Sequence, residues 1–421
     1  MSRETHKAIE AVFRIESARI IAAVARMVRD VGVAEELSQD ALVAALEAWP
    51  REGVPDNPAA WLMTAARRRA LDRLRQRKLH ADKEDALAFE IEAQLADAQP
   101  AVGTVLRDDI GDDLLRLVFT ACHPVLPADA RVALTLKLVG GLSTGEIARA
   151  FLVPEPNIAQ RLVRAKRTLA EARVPFEVPG ATERRERLAA VLEVIYLVFN
   201  EGYAATSGSS LMRLDLCEDA LRLGRMLAGM MPEESEVHGL VALMEIQASR
   251  SPARVDADGA PVLLLDQNRA RWDRLLIGRG LAALARAERL GGALGPYALQ
   301  AAIAACHARA LAAADTDWHR IAALYDALAQ AMPSPVVELN RAVAVSMAFG
   351  PEAGLAIVDA IAGAPAMANY HLLPSVRGDL LGKLGRHAEA ASEFRRAADM
   401  TRNERERALL MARAAASAGI A

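Results

Sequence analysis

Apolar residues return at every third or fourth position along almost the whole chain, a period that suits helices and little else. In residues 8–48 the sets Ile9, Val12, Phe13 and Ile20, Ile21, Val24, Met27 predict two or three helices, punctuated at Gly32. The same spacing recurs to the C-terminus, and nowhere do strands and helices alternate. Composition agrees. Only 4% of residues are aromatic and alanine abounds, which favours packed helices over sheets. The expected fold class is therefore all-α. At 421 residues the chain exceeds a single core, so two to four domains are expected.

Charge divides the chain more sharply than hydrophobicity does. A Pro/Gly-bearing loop from Pro50 to Pro58 precedes a predicted helix, Trp61 to Lys78, with seven cations against the single Asp72. Clustered arginines release counterions when they meet phosphates, although a solvated basic face would have the same composition. From Asp82 to Arg116 the balance reverses to ten acidic residues against three basic ones, with Pro100 and Gly103 inside, which reads as a mobile acidic linker. Residues 112–173 form a second compact helical block, and Val174 to Gly180 reads as a further linker. After it, helices run almost throughout. A hairpin is expected at Arg254 to Leu265 around the Asp256–Gly259 turn. Phe349-Gly350-Pro351-Glu352-Ala353 recurs as Leu384-Gly385-Arg386-His387-Ala388, a period of 34 to 35 residues that suits helix-pair repeats. The expected domains are 1–80, an acidic linker at 81–111, 112–176, and a helical, tetratricopeptide-like extension at 183–421.

The strongest local motif lies at 143–169. Ser143-Thr144-Gly145-Glu146 forms a capping box that starts a helix ending near Phe151. A turn at Leu152 to Glu155 follows, and Pro156 opens a second helix. On that helix Ile158, Leu162, Ala165 and Leu169 share one face, and Asn157, Gln160, Arg161 and Arg164 the other. This is the layout of a helix-turn-helix reader, with amide and guanidinium groups placed for base edges and phosphates. Two basic helices joined by an acidic segment make nucleic acid the favoured partner, and the acidic segment could mimic a strand within a basic channel.

These residues resemble a known family. The run from Ala34 to Leu42 (AEELSQDAL), then Ala60-Trp61-Leu62, Ala66-Arg67, Ala70-Leu71-Asp72 and Leu74-Arg75, looks like region 2 of extracytoplasmic-function (ECF) sigma factors. Leu142-Ser143 to Ile147-Ala148, Val153-Pro154-Glu155 and Arg161 to Lys166 look like their region 4. Order and spacing match over roughly residues 8–173. One position departs: Arg68 stands where the family often has asparagine.

The resemblance implies partners, core RNA polymerase and promoter DNA, and roles. Glu36, Leu37, Gln39 and Asp40 would dock on the clamp helices of the β′ subunit. Trp61, Arg67, Arg68, Arg69, Arg73 and Arg75 would hold the −10 element with its bases single-stranded. Asn157, Gln160, Arg161, Arg164 and Arg167 would read the −35 element, region 4 would touch the β flap, and the acidic linker would thread toward the active site. Tyr196 to Tyr203 and Asp266 to Asp273 resemble the extension of one ECF subgroup. That extension would modulate initiation and offer a surface to a protein partner. The Asn200–Tyr203 segment itself reads as a polar helix end packed between domains.

Other readings carry less. A free-standing helix-turn-helix regulator with a helical sensor would not need the Ala34–Asp40 run or a separate basic helix. Gly141-Leu142-Ser143-Thr144-Gly145 fits a nucleophile elbow, and Val132 to Val139 before it alternates like a strand, but no parallel sheet is expected to hold it. Asp256-Ala257-Asp258-Gly259 lacks the remaining ligands of a calcium loop. Cys122-His123 has no second pair at zinc spacing. Cys122, Cys217 and Cys306 are far apart, which suits a reducing cytoplasm. The polar N-terminus shows no signal peptide, and no apolar run is long enough for a membrane span. The net charge of −3 decides nothing about nucleic acid, because binding depends on local patches. No enzymatic activity, cofactor or metal is expected.

Overall fold

The computed structural model describes residues 2–81, 106–151, 153–204, 207–208, 211–257 and 259–419. Among them are eighteen α-helices, and the strand content is one two-residue parallel pairing of β1 (Ser207–Gly208) with β2 (Arg402–Asn403). The expected all-α class holds. Two compact units divide the chain, Met1–Ile195 and Tyr196–Ala421.

The first unit opens with α1 (Ser2–Val28), α2 (Val31–Glu52) and α3 (Pro58–Ala81). Asp30 starts α2 by accepting hydrogen bonds from the amides of Gly32 (2.8 Å) and Val33 (3.0 Å). The helix runs on through Pro50, where a loop is expected from the sequence. In the last turn a proline removes one hydrogen bond without unwinding what precedes it, and Gly53, at φ 90°, ends the helix.

Residues 82–105 of the expected acidic linker lie outside the described residues. Its C-terminal part, from Leu106, belongs to α4 (Leu106–Ala121). The surplus of acid conceals that helix in the sequence. Leu114, Leu115, Leu117 and Val118 are buried, and buried Asp113 is matched by Arg116 (2.7 Å) and Arg26 (3.5 Å). α1 packs against α2, α3 and α4, so both blocks of the unit share one core.

The second block continues with α5 (Ala128–Leu138), α6 (Thr144–Phe151) and α7 (Glu155–Glu171). Residues 132–138, which alternate like a strand, are helical in α5. The capping box forms in full, with the Ser143 amide donating to Glu146 (2.7 Å) and the Glu146 amide to Ser143 Oγ (3.1 Å). Ser143 thus holds a helix start, an interaction that contributes about 1 kcal/mol. Helix α8 (Ala181–Tyr203) contains the division between units. Its N-terminal half belongs to the first: Arg187 donates to the carbonyl of Phe119 (3.0 Å), and Glu193 pairs with Arg131 (3.1 Å).

In the second unit, helices α9 (Leu214–Met230) to α18 (Glu404–Ala418) pack mainly on their chain neighbours. The expected repeat is present as two helix pairs. In the first, α14 (Pro335–Phe349) turns at Gly350 into α15 (Pro351–Ile361). In the second, α16 (Leu372–Lys383) turns near Gly385 into α17 (His387–Met400). Both glycines adopt positive φ, 105° and 75°, which favours glycine there. Leu339, Leu355, Leu380, Leu381 and Phe394 join the pairs in one core. The hairpin expected at 254–265 reduces to a single antiparallel bridge, Val255 with Pro261. Its turn is closed by the Ala260 amide on the Asp256 carboxylate (2.8 Å), and Asp258 lies outside the described residues.

Candidate nucleic-acid interface

Helix α3 begins where Pro58 occupies the first turn and the Asn57 side chain accepts from the Ala60 amide (3.0 Å). Leu62, Ala66 and Ala70, four residues apart, form its buried stripe. That register turns Arg68, Arg73, Arg75 and Arg77 to solvent. Asp72 only touches Arg75 at 3.4 Å in an exposed pair of little energetic worth. Two cations behave differently. Arg67 is half-buried; burial and the neighbouring Arg26 lower its pKa from the usual arginine range, and Asp113 opposes them. Arg69 reaches back to the Ala65 carbonyl (3.4 Å). Trp61 stands edge-on to Trp49, with ring centres 5.4 Å apart.

On α2, burial of Ala34, Leu37, Ser38, Ala41 and Ala45 leaves Glu36 and Asp40 exposed and Gln39 half-buried. Leu37 therefore anchors the helix. Val43, 51% exposed, continues the face of Glu36 and Asp40 at helical spacing. Its pattern in the sequence gave no separate signal, because a valine at this spacing fits a core equally well.

Helix α7 buries Ile158, Leu162, Ala165 and Leu169, and exposes Asn157, Gln160, Arg164 and Arg167. Arg161 is half-buried and pairs with Asp129 (3.2 Å); Arg167 pairs with Glu171 (3.2 Å). Both acids are exposed, so a phosphate can displace either pair at small cost. Val163, 61% exposed beside Arg164, was not singled out by sequence reasoning. On a groove-facing helix such a side chain suits a thymine methyl group.

The structure also joins residues that sequence reasoning kept apart. Glu35, buried on α2, accepts from Lys166 Nζ on α7 (2.8 Å) and lies 3.6 Å from Lys137 Nζ on α5. Nothing local distinguishes Glu35 from Glu36; burial alone separates their roles. Cys122 and His123, weighed as metal ligands, have structural roles. The Cys122 thiol contacts Thr135 Oγ1 (3.2 Å), and burial pushes its pKa up to about 11. His123 Nδ1 accepts from the Val125 amide (3.1 Å). Among the described residues, no group of three or more His, Cys, Asp or Glu is arranged to hold a metal ion, and no helix is long and apolar enough to cross a membrane.

A basic helix with an aromatic at its head, followed in the chain by a capped helix-turn-helix, defines a two-block nucleic-acid-binding layout. Sigma-70 region 2 matches residues 13–80 and Sigma-70 region 4 matches residues 116–169. Residues 187–288 match a family of unknown function. The chain is 46% identical to an uncharacterized protein of Rhizobium meliloti, over 92% of this chain and 90% of that one. It is 30% identical to the ECF RNA polymerase sigma factor SigK of Mycobacterium tuberculosis, over 36% of this chain and 78% of that one. To the probable ECF sigma factor SigI of the same species it is 27% identical, over 42% of this chain and 60% of the relative. The chain belongs to the ECF RNA polymerase sigma factors.

Proposed function

We propose that residues 13–171 carry core RNA polymerase to promoters, with no chemistry of their own, and that the second unit modulates this step. In this reading Glu36, Gln39 and Asp40, held in place by Leu37, meet the β′ clamp helices. Trp61 with Arg67, Arg68, Arg69, Arg73 and Arg75 holds the −10 strand, the ring stacking on a base and the cations tracking phosphates. Asn157, Gln160, Arg161, Arg164 and Arg167 read the −35 major groove, and region 4 meets the β flap. The protein acts in the cytoplasm, where polymerase and promoter are found. The observation that carries the reading is α7: a fully buried apolar stripe leaves amide and guanidinium groups together on the opposite face.

Run-off transcription with purified core polymerase tests the reading; no promoter-specific transcript would overturn it. Within it, Arg164→Ala is expected to weaken −35 binding without unfolding α7, because Arg164 is exposed. A bidentate base contact is worth about 1–3 kcal/mol of discrimination, whereas a phosphate contact lowers affinity evenly across sequences. Gel-shift titrations on promoters altered in the −35 element separate the two.

Modulation by the second unit, through a protein partner on its helix pairs, calls for a truncation that respects α8. A chain ending at Ala204 keeps the Arg187–Phe119 and Arg131–Glu193 contacts that a cut at Gly180 would destroy. Once circular dichroism shows the shorter chain folded, its run-off yield is expected to fall at least ten-fold below that of the full chain. Equal yield and equal promoter choice would remove modulation from the reading.

A further inference from the structure

Two sequence segments without an assigned role, Asn200–Tyr203 and Asp266–Asp273, each contact an arginine of the short stretch Arg250–Arg254 in the second unit. Arg254 donates to the Tyr203 carbonyl, and its guanidinium lies over the Tyr203 ring, 3.8 Å from the centre. Arg250 and Arg269 approach a single indole, that of Trp272, at 5.6 and 5.0 Å from its centre. Burial, and Arg254 after it, pull the Arg250 pKa down against the opposing influence of Tyr203. Burial and Arg250 lower that of Arg269. Three guanidiniums thus share one neighbourhood.

No carboxylate within ion-pair distance balances them among the described residues. Elsewhere in this unit partly buried arginines are matched by acids: Arg213 by Glu201, Arg341 by Glu338, Arg377 by Asp359 and Glu393. Two acids whose fields reach the cluster, Asp315 and Glu406, are engaged otherwise. Asp315 accepts from the Ala312 amide (3.2 Å), and Glu406 accepts from Thr401 Oγ1 (2.9 Å) and contacts His371 (3.2 Å).

What the cluster lacks is acceptors. Arg269 spends its terminal nitrogens on the carbonyls of His307 and Ala310 and on Thr316 Oγ1, each at 2.8–2.9 Å, and is thereby held in place as a charge. Its Nε and Trp272 Nε1 are buried donors without a partner, and buried Tyr203 Oη and His307 Nδ1 also lack one. The Arg250 side chain makes a single long hydrogen bond, Nε to Gln267 at 3.4 Å, which leaves its four terminal N–H groups uncommitted. Arg250, Arg254 and Tyr203 are half-buried, so the cluster is open to solvent on their side. Leaving buried donors and like charges unmatched is costly, and an oxyanion, which only accepts, supplies what is missing.

We propose that Arg250, Arg254 and Arg269, with Trp272 and Tyr203, form a binding site for a small oxyanion, the phosphate or carboxylate group of a soluble metabolite. The fixed Arg269 sets the positive field, and Arg250 and Arg254 close on the ligand through paired N–H groups.

Calorimetric titration and thermal unfolding of the full chain, at constant ionic strength, test the site. Inorganic phosphate and malonate are the two probes and sodium chloride is the control. One saturable site is expected for at least one probe, with Tm rising by about 5 °C at a hundred-fold excess over Kd. The tighter probe tells phosphate from carboxylate as the natural group. Arg250→Gln and Arg254→Gln, each checked by circular dichroism, are expected to weaken binding at least ten-fold. A chloride-like response of the wild type to both probes would overturn the proposal. So would binding within two-fold of wild type in whichever variant is folded, since an arginine that only braces the fold would leave the titration unchanged.

Discussion

Joint reversal of Glu36 and Asp40 to lysine is expected to abolish co-purification with core RNA polymerase at physiological salt, weakening the complex by at least ten-fold. Both side chains are exposed and one helical turn apart on α2. Surface substitutions of this kind usually change stability by no more than about 0.5 kcal/mol, so a lost complex would report the interface. Like charges forced together at an interface cost several kcal/mol, more than a rim contact contributes when favourable. Val43→Asp, on the same face, should act in the same direction. Undiminished pull-down of polymerase by the doubly reversed chain, with its thermal unfolding intact, would place the interface elsewhere.

Glu35→Gln should have the second largest effect, and in the opposite direction. The buried carboxylate ties α2 to α7 through Lys166 at 2.8 Å and to α5 through Lys137 at 3.6 Å. Promoter elements at −10 and −35 are about 25 base pairs apart, or roughly 85 Å at 3.4 Å per pair. In the proposed reading α3, which packs on α2, holds the −10 element and α7 reads the −35 element, so the clasp between α2 and α7 would belong to the free protein and would open on the promoter. Its loss should destabilise the compact unit by about 1–3 kcal/mol, less than a fully buried pair because both lysines can turn to water. It should also raise polymerase affinity by up to about ten-fold as the open form becomes more populated. Fluorophores at Glu47→Cys on α2 and Ala170→Cys on α7 measure the separation, since the native cysteines are buried. An unchanged separation together with an unchanged Kd would show that the clasp does not compete with assembly.

Much of the candidate interface was legible residue by residue. The capping box at Ser143, the stripe from Ile158 to Leu169 and the polar face of α7 are set by neighbours three and four positions away, and the structure keeps them where the periodicity puts them. Local chemistry misled where tertiary contacts outweigh it. Leu106–Arg116 is too acidic to read as a helix, yet its leucines reach a core and Asp113 finds Arg116 and Arg26. Pro50 signals a break that α2 postpones until Gly53. Val132 to Leu138 alternates like a strand and is helical, because Leu134, Leu136 and Leu138 all find buried places in a helix covered from several sides.

The sequence by itself determined the helices, their starts and their faces, because hydrogen bonds, caps and side-chain stripes within a helix involve residues at most a turn or two apart. Only the tertiary structure decided which like residues differ. Glu35 is paired with a lysine 131 positions away while Glu36 faces water. Arg250 and Arg269 converge on one tryptophan without an acid, while Arg225 is given Glu245. Such pairings depend on which surfaces the packed helices bring together and on how much water remains between them. A local period of 3.6 residues carries no information about either.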